Sequence, residues 1–280
     1  MNQIGSMPLK IVWMDRQGDI PFHAHPFHEL VIAFDGEGIH NYENDCYRIG
    51  GGDVFFIRPG IPHNYQHTEA LQLVNILYQP EVLNLNLYDA GKLPGYHALF
   101  EFEPAMRRQH GFSGRLRLHG ERLDFLRGLV MQLCEELTNS LNGGMCMSVA
   151  CLMQIIIFIS RHYSGMKNPA QTDLLRLGAT LSYIRENCTR PLTLADLARK
   201  AAMSPATLNR VFMKSVKMSP VNYVIFQRVA LAKGLLADSD TEIYAIAAET
   251  GFGDSNYFSR VFKKHTGMTP RDYRHKFRLP

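Results

Sequence analysis

Gly251-Phe252-Gly253-Asp254-Ser255-Asn256-Tyr257-Phe258-Ser259-Arg260-Val261-Phe262-Lys263-Lys264, followed by Thr266-Gly267-Met268-Thr269-Pro270, is the stretch that decides how this chain is read. Its weight comes from a second copy upstream. Arg210-Val211-Phe212, Lys214, Met218, Pro220 and Tyr223 return as Arg260-Val261-Phe262, Lys264, Met268, Pro270 and Tyr273, seven identities in fourteen positions at an offset of 50. Farther upstream the offset falls to 49, pairing Leu194 with Ile243, Leu197 with Ile246 and Ala198 with Ala247, which places a one-residue insertion in a turn. A duplicated pattern of this kind marks a duplicated structural unit.

Each copy spells helix, tight turn, helix. In the first, Thr193 and Asp196 have the spacing of a capping box, and Leu194, Leu197, Ala198 and Ala201 share one helical face. Ser204-Pro205 then opens a second helix whose inward stripe is Leu208, Val211 and Phe212. In the second copy Ser239 to Glu242 is the expected cap, Ile243, Ile246 and Ala247 face inward, and Gly251 stands where a helix end needs positive φ. The first copy has Ala202 there, at a cost of about 1 kcal/mol if the geometry is kept. Phe258, Val261 and Phe262 form the next stripe, and Ser219-Pro220 begins a connecting helix to about Ala237.

Helix-turn-helix units read DNA by laying the second helix in the major groove. The outward row of the first unit is Ala206, Thr207, Asn209, Arg210 and Lys214; that of the second is Asp254, Ser255, Asn256, Ser259, Arg260, Lys263 and Lys264. Arginine pairs bidentately with guanine, asparagine suits adenine, and lysine suits phosphate, so these rows predict contact with double-stranded DNA. A rigid connector would set the two reading helices about one DNA turn, roughly 34 Å, apart. The competing reading is a packed helical scaffold with solvated arginines.

Charge divides the chain in the same place. Residues 171–280 carry 17 Lys/Arg against 9 Asp/Glu, whereas residues 1–170 carry 13 against 17. A basic module thus follows a mildly acidic one, which favours a polyanion partner for the C-terminal part only. With 280 residues, 46% hydrophobic and 20% charged, the chain has enough material for two cores and is neither disordered nor fibrous. Five irregularly spaced cysteines, with no Cys-x-x-Cys pair, read as reduced thiols. The first residues lack the basic start and apolar run of a signal peptide, so a cytoplasmic location is expected. Met145 to Ile159 is strongly apolar but shorter than the roughly 20 residues that cross a bilayer, and reads as a buried helix with no membrane partner.

The duplicated segment, from Gly251 through Thr266-Gly267-Met268-Thr269-Pro270 to Tyr273-Arg274, is similar to the signature of the AraC/XylS family of bacterial transcription regulators over about residues 173 to 278. The resemblance implies one reader carrying two helix-turn-helix units, with RNA polymerase as a further partner.

Upstream, Leu30 to Phe34, Gly38 to Tyr42, Val54 to Ile57 and Leu71 to Tyr78 read as short strands, with turns at Asp35-Gly36 and Glu43-Asn44-Asp45, as in a small barrel or jelly roll. Gly18, His23-Ala24-His25, Glu29 and Gly36, then Gly52, Gly60 and His63, resemble the two cupin motifs. That resemblance implies an effector pocket lined by His23, His25, Glu29 and His63; in metal-binding cupins the same four would be ligands, and imidazole with carboxylate suits a divalent transition metal. The reading adopted is a hydrogen-bonding pocket for a small molecule with no cofactor and no catalytic residues. Its alternatives are a metal-binding sensor, a metal-dependent cupin enzyme with a DNA-binding tail, and a regulator whose barrel binds nothing. His28, His40 and His67 are weaker candidates.

Between barrel and reader, Leu123, Leu126, Leu129, Val130, Leu133 and Leu137 repeat at helical spacing, and Met145 to Tyr163 is apolar nearly all round. Such helices predict pairing with a second subunit, that is, a homodimer; packing against their own barrel alone is the alternative. Ser164 to Thr172 reads as a flexible linker. His23-x-His25, Phe27-His28-Glu29-Leu30-Val31-Ile32, Gly38-Ile39-His40, Asn75-Ile76-Leu77-Tyr78, Pro80-Glu81, Leu85-Asn86-Leu87 and Pro94-Gly95-Tyr96 further resemble the L-rhamnose-responsive activators of that family, which implies an activator of a sugar catabolic operon. The fold expected is α+β: a cupin-like β-barrel effector domain over 1–120, a helical dimerisation segment over 121–163, a linker over 164–172, and an all-α DNA-binding domain over 173–280.

Overall fold

Two long strands, β2 (His28–Tyr42) and β5 (His63–Tyr78), pair antiparallel along most of their length and carry the N-terminal unit. The computed structural model describes residues 8–83, 89–139, 142–165 and 168–278. It divides into Met1–Gly178 and Ala179–Pro280. In the first unit β1 (Leu9–Met14) flanks β5, β3 (Asp45–Gly50) and β4 (Asp53–Ile57) pair with opposite halves of β2, and β6 (Leu116–Arg117) extends β4. The ladder is one open path, β1-β5-β2-β4-β6 with β3 on β2; no pairing among the described residues closes it into a ring.

The turn expected at Asp35-Gly36 is instead an irregularity inside one strand. The β2–β5 register shifts at Ala33/Asp35, Asp35/Glu37 and Glu37/Ile39, and Gly36 takes φ +71° with the Ala70 carbonyl so close that a Cβ would lie 2.2 Å from it. This is a β-bulge region, which bends the strands without ending them. The hairpin at Glu43-Asn44 forms as read, with Glu43 at φ +56°. The inward residues Val31, Ala33, Tyr42, Ile49, Phe55, Ile57, Tyr65, Leu71, Leu73 and Phe112 make the core of this unit.

Short helical turns, including α1 (Pro94–His97) and α2 (Glu103–Met106), lead to β6 and then to α3 (Glu121–Asn139) and α4 (Gly144–Ser164). α4 is long and apolar enough by composition to cross a membrane. It packs on α3 and α1 and buries Cys151, Leu152, Ile155, Ile156, Ile159 and Tyr163, as a core helix does. The expected linker is mostly helix. Asn168 accepts the amide of Gln171 through its side chain (2.9 Å), and Pro169 opens α5 (Pro169–Asn187), so the Asn-Pro pair read as loop punctuation is an N-cap followed by N1 proline. Within this stretch Met166 and Lys167 lie outside the described residues, as do the first seven residues and Leu85-Asn86-Leu87. All five cysteines are free thiols.

The second unit is wholly helical after α5: α6 (Leu194–Ala201), α7 (Pro205–Ser215), α8 (Pro220–Asp238), α9 (Ile243–Glu249), α10 (Ser255–Thr266) and α11 (Pro270–Phe277). The Thr193–Asp196 capping box forms in both directions at 3.2 Å. Ala202 keeps the left-handed turn at φ +54° despite its methyl group. Its counterpart Gly251 sits at φ +84° with Thr189 O 2.5 Å from where a Cβ would stand, so here glycine is required twice over. The Ser239–Glu242 cap does not form. The Ser239 hydroxyl turns back to Leu235 O (2.7 Å), closing α8, and α9 starts with no side-chain cap.

Candidate functional site

Two places gather the chemistry read from the sequence: a buried imidazole–carboxylate cluster in the first unit and an open row of polar side chains in the second. The cluster is assembled by strand register. The His23 and His63 backbones bridge each other antiparallel (3.0 and 3.1 Å), and Glu29 enters on β2. Glu29 Oε2 lies 2.5 Å from His25 Nε2 and 3.4 Å from His63 Nε2. The donor atoms of His25, Glu29 and His63 all fall within 4.8 Å of one another, and the His23 ring packs on His63 at 4.3 Å between centroids. All four sequence candidates therefore meet.

Each of the three histidines is held by a backbone carbonyl two residues away: His23 Nδ1 at Pro21 O (3.2 Å), His25 Nδ1 at Phe27 O (2.9 Å) and His63 Nδ1 at Ile61 O (3.0 Å). A carbonyl only accepts, so each Nδ1 carries a proton, and the Nε2 atoms of His25 and His63 are turned toward Glu29. Glu29 is 2% exposed. Burial alone would raise its pKa, but hydrogen bonding from His25 and His63 and their charge overcome this and hold it down at about 2. The His23 pKa is lowered, first by burial and then by the neighbouring His63.

A pocket of about 360 Å³ opens beside the cluster. Val12, Met14, Ile20, Pro21, Phe27 and Leu77 give it apolar walls; Gln17, His23, His25, Glu29 and Asn75 give it polar ones. β1, which supplies Val12 and Met14, was not among the strands read from the sequence. Deeper in the same unit His40 is fully buried with neither ring nitrogen paired, 5.9 Å ring to ring from His63, and the Tyr65 hydroxyl is also buried and unpaired. Near them Arg107 pairs with Glu103 (2.7 and 3.0 Å), donates to Phe56 O and lies over the rings of Tyr42 and Phe112. Sequence reasoning passed over this ion pair, although its i, i+4 spacing was a usable signal. His28 packs on Phe56 and Tyr78, and His67 is exposed; neither joins the cluster.

In the second unit Leu208, Val211 and Phe212 of α7 and Phe258 and Phe262 of α10 are buried as read, and Val261, the remaining member of the second stripe, is half-buried. The opposite faces are open. Ala206, Asn209, Arg210 and Lys214 of α7 and Asn256, Arg260, Lys263 and Lys264 of α10 are exposed. Arg210 and Arg260 are each the sixth residue of their helix, so the duplication repeats their placement. Three candidates are engaged within the protein: Asp254 caps α10 through Tyr257 N (2.5 Å), Thr207 accepts from the Ser204 hydroxyl (2.9 Å), and Ser259 donates to Ser255 O (2.9 Å). Ser255 is half-buried. Met213 and Tyr257, 48% and 42% exposed, stand on these faces and were missed because both were counted as apolar.

Residues 9–148 match the model of the AraC-like ligand binding domain, and residues 197–276 match that of the helix-turn-helix domain. The chain belongs to the AraC family. It is 30% identical over 270 residues to the HTH-type transcriptional activator RhaR of Mannheimia succiniciproducens, covering 96% of this chain and 92% of that one. It is 32% identical over 272 residues to RhaR of Yersinia pestis bv. Antiqua, covering 97% and 90%. Among solved structures, an AraC-type transcriptional regulator from Chromobacterium violaceum is 28% identical with a TM-score of 0.36, over 38% of this chain and 94% of that one. This AraC-family protein is therefore a DNA-binding transcription regulator with a ligand-binding domain, and not an enzyme.

Proposed function

We propose that this AraC-family regulator activates a sugar-utilisation operon in the cytoplasm, and that its effector, L-rhamnose or a related sugar, binds in the pocket beside Glu29. The pocket carries this reading. Its apolar walls suit the C–H faces of a sugar ring, and its imidazoles, carboxylate and amides offer both donors and acceptors to hydroxyl groups. The sequence resemblance to L-rhamnose-responsive activators supplies the sugar. In this reading residues 1–120 bind the effector, 121–163 pair two subunits, and the exposed rows of α7 and α10 read DNA in a homodimer that recruits RNA polymerase. The effector works only through unequal affinity for two arrangements of the protein, since equal affinity shifts nothing.

Support for the dimer comes from α3 and α4. A groove of about 560 Å³ between them is lined by Phe125, Leu129, Met153, Ile157 and Phe158, and Phe125 is 56% exposed. An apolar surface of this kind is what an interface core requires. Sedimentation of the full chain tests it: a monomer at micromolar concentration overturns the dimer. Thermal-shift screening of the full chain against monosaccharides tests the effector. A shift with L-rhamnose that is lost in Glu29→Gln is the expected result; a shift unchanged in that variant places the sugar elsewhere.

One observation favours a second reading, in which the cluster holds a divalent transition metal. With Nδ1 of His25 protonated, its Nε2 and the Glu29 carboxylate face each other at 2.5 Å, and two lone pairs at that distance need a proton or a cation between them. His23, His25, His63 and Glu29 would be the ligands, and the metal would supply Lewis acidity toward sugar hydroxyls. Elemental analysis of protein purified without added metal decides: stoichiometric metal lost in His25→Ala supports it, and a metal-free protein that still binds effector removes it.

A further inference from the structure

The two helix-turn-helix copies share their scaffold but differ at one surface. Pro220 and Tyr223 at the start of α8 recur as Pro270 and Tyr273 of α11, and Arg228 recurs as Arg278. The arginines tie equivalent places: Arg228 donates to Cys188 O (2.6 Å) and Arg190 O (2.9 Å), and Arg278 pairs with Asp240 (2.6 Å). Between these fixed points the sequence changes character. Val221, Val224, Ile225 and Phe226 of the first copy stand where the second has Arg271, Arg274, His275 and Lys276. Packing accounts for Val224, which is buried in α8, but not for the outer positions, where Val221 and Phe226 are exposed just as Arg271 is.

Arg271, Arg274 and His275 of α11 and Arg278 just after it line a surface groove of about 510 Å³ together with Glu242 and Ile243 where α9 begins. Arg274 is braced by its bond to Thr241 O, while its Nε is buried without a partner. Arg271 and His275 are exposed. Of the acidic groups nearby, Asp240 is paired with Arg278, and Asp272, which accepts from the Thr269 hydroxyl (2.6 Å) at the cap of α11, does not line the groove; among the described residues that line it, Glu242 is the acidic one.

We propose that this groove seats the DNA phosphate backbone and gives the second helix-turn-helix unit a clamp that the first lacks. The inference rests on the DNA-reading role assigned above. In such units the first helix crosses the backbone while the second lies in the major groove, which puts the leading end of α9 and the adjoining α11 arginines beside phosphates once α10 is inserted. Guanidinium forks match phosphate oxygens bidentately, so arginine is the residue chemistry expects at such a seat.

The test uses the full chain and fluorescence anisotropy from 50 to 200 mM salt, on a duplex selected by the protein from a random library and on an unselected duplex. Arg271→Ala should weaken both by a similar factor, on the order of fivefold, and reduce the salt slope by about 1, because one phosphate contact is lost. Arg271→Glu should weaken both further, and Arg271→Lys should restore most of the loss. Arg260→Ala, by contrast, should weaken the selected duplex far more than the unselected one. Unchanged affinity and slope in Arg271→Glu, with Arg260→Ala still defective, overturns the clamp and leaves the DNA reading standing; so does a loss of transcription activation at unchanged DNA affinity, which points to an acidic protein partner. Failure of the wild-type chain to bind any duplex overturns both.

Discussion

The pocket cluster and the reading face place polar side chains in opposite ways. Around Glu29 the side chains of His25 and His63 are buried with it, and Glu29 depends on both for its partners, while His23 is half-buried at the edge. On α7 and α10 the arginines, asparagines and lysines stand open on helices whose stability comes from the other face. Removing a buried group should therefore damage fold and binding together, whereas removing an outward one should damage recognition alone.

The sharpest way to break this contrast is Arg107. Truncation to Ala leaves Glu103, itself 1% exposed, without its buried partner, and should destabilise the first unit by about 3–5 kcal/mol in urea unfolding. A loss below about 1 kcal/mol would show that the pair is solvated. Next is Glu29. Its lowered pKa contributes stability that is present above the ordinary glutamate value of 4.5 and is lost as pH falls from there toward about 2. In metal-free protein Glu29→Gln should flatten that acid limb in a pH series of unfolding curves while leaving DNA affinity without effector unchanged; an unaltered limb contradicts the assignment.

The smallest effect sharpens the comparison between the two turns of the reader. Ala202→Gly relieves a left-handed alanine and should raise stability by up to about 1 kcal/mol, whereas Gly251→Ala meets both positive φ and Thr189 O and should lower it by more. Equal and opposite shifts at the two sites, read by thermal unfolding, would mean that only φ matters and the close approach does not.

The same contrast explains what the sequence made legible. Helical periodicity states directly which side chains face outward, so the exposure of Asn209, Arg210, Asn256 and Arg260 is legible in the sequence. Duplication strengthened the reading by repeating it. Strand pairing carries no such local signal. The second half of the β2–β5 ladder was hidden by the polar run Gln66 to Glu69 and by positive φ at His67 and Ala70, and with it went the burial of His40 and Tyr65. The cluster residues were reached through motif resemblance, but their shared orientation, set by carbonyls at Pro21, Phe27 and Ile61, is a backbone property that composition does not encode. Residue type misled at the edges: Asp254 has the chemistry to touch DNA, yet the same chemistry makes it the cap of α10, and the Thr207 hydroxyl is engaged by Ser204, the cap of α7.

The central claim is that the open faces of α7 and α10 read duplex sequence. Affinity of the full chain for its selected duplex, measured with single base-pair changes alongside Arg210→Ala and Arg260→Ala, tests it most directly. Each variant should lose about 1–3 kcal/mol on the selected duplex and become indifferent to one base pair. Losses of the same size on every sequence, with discrimination intact at every position, would contradict the account.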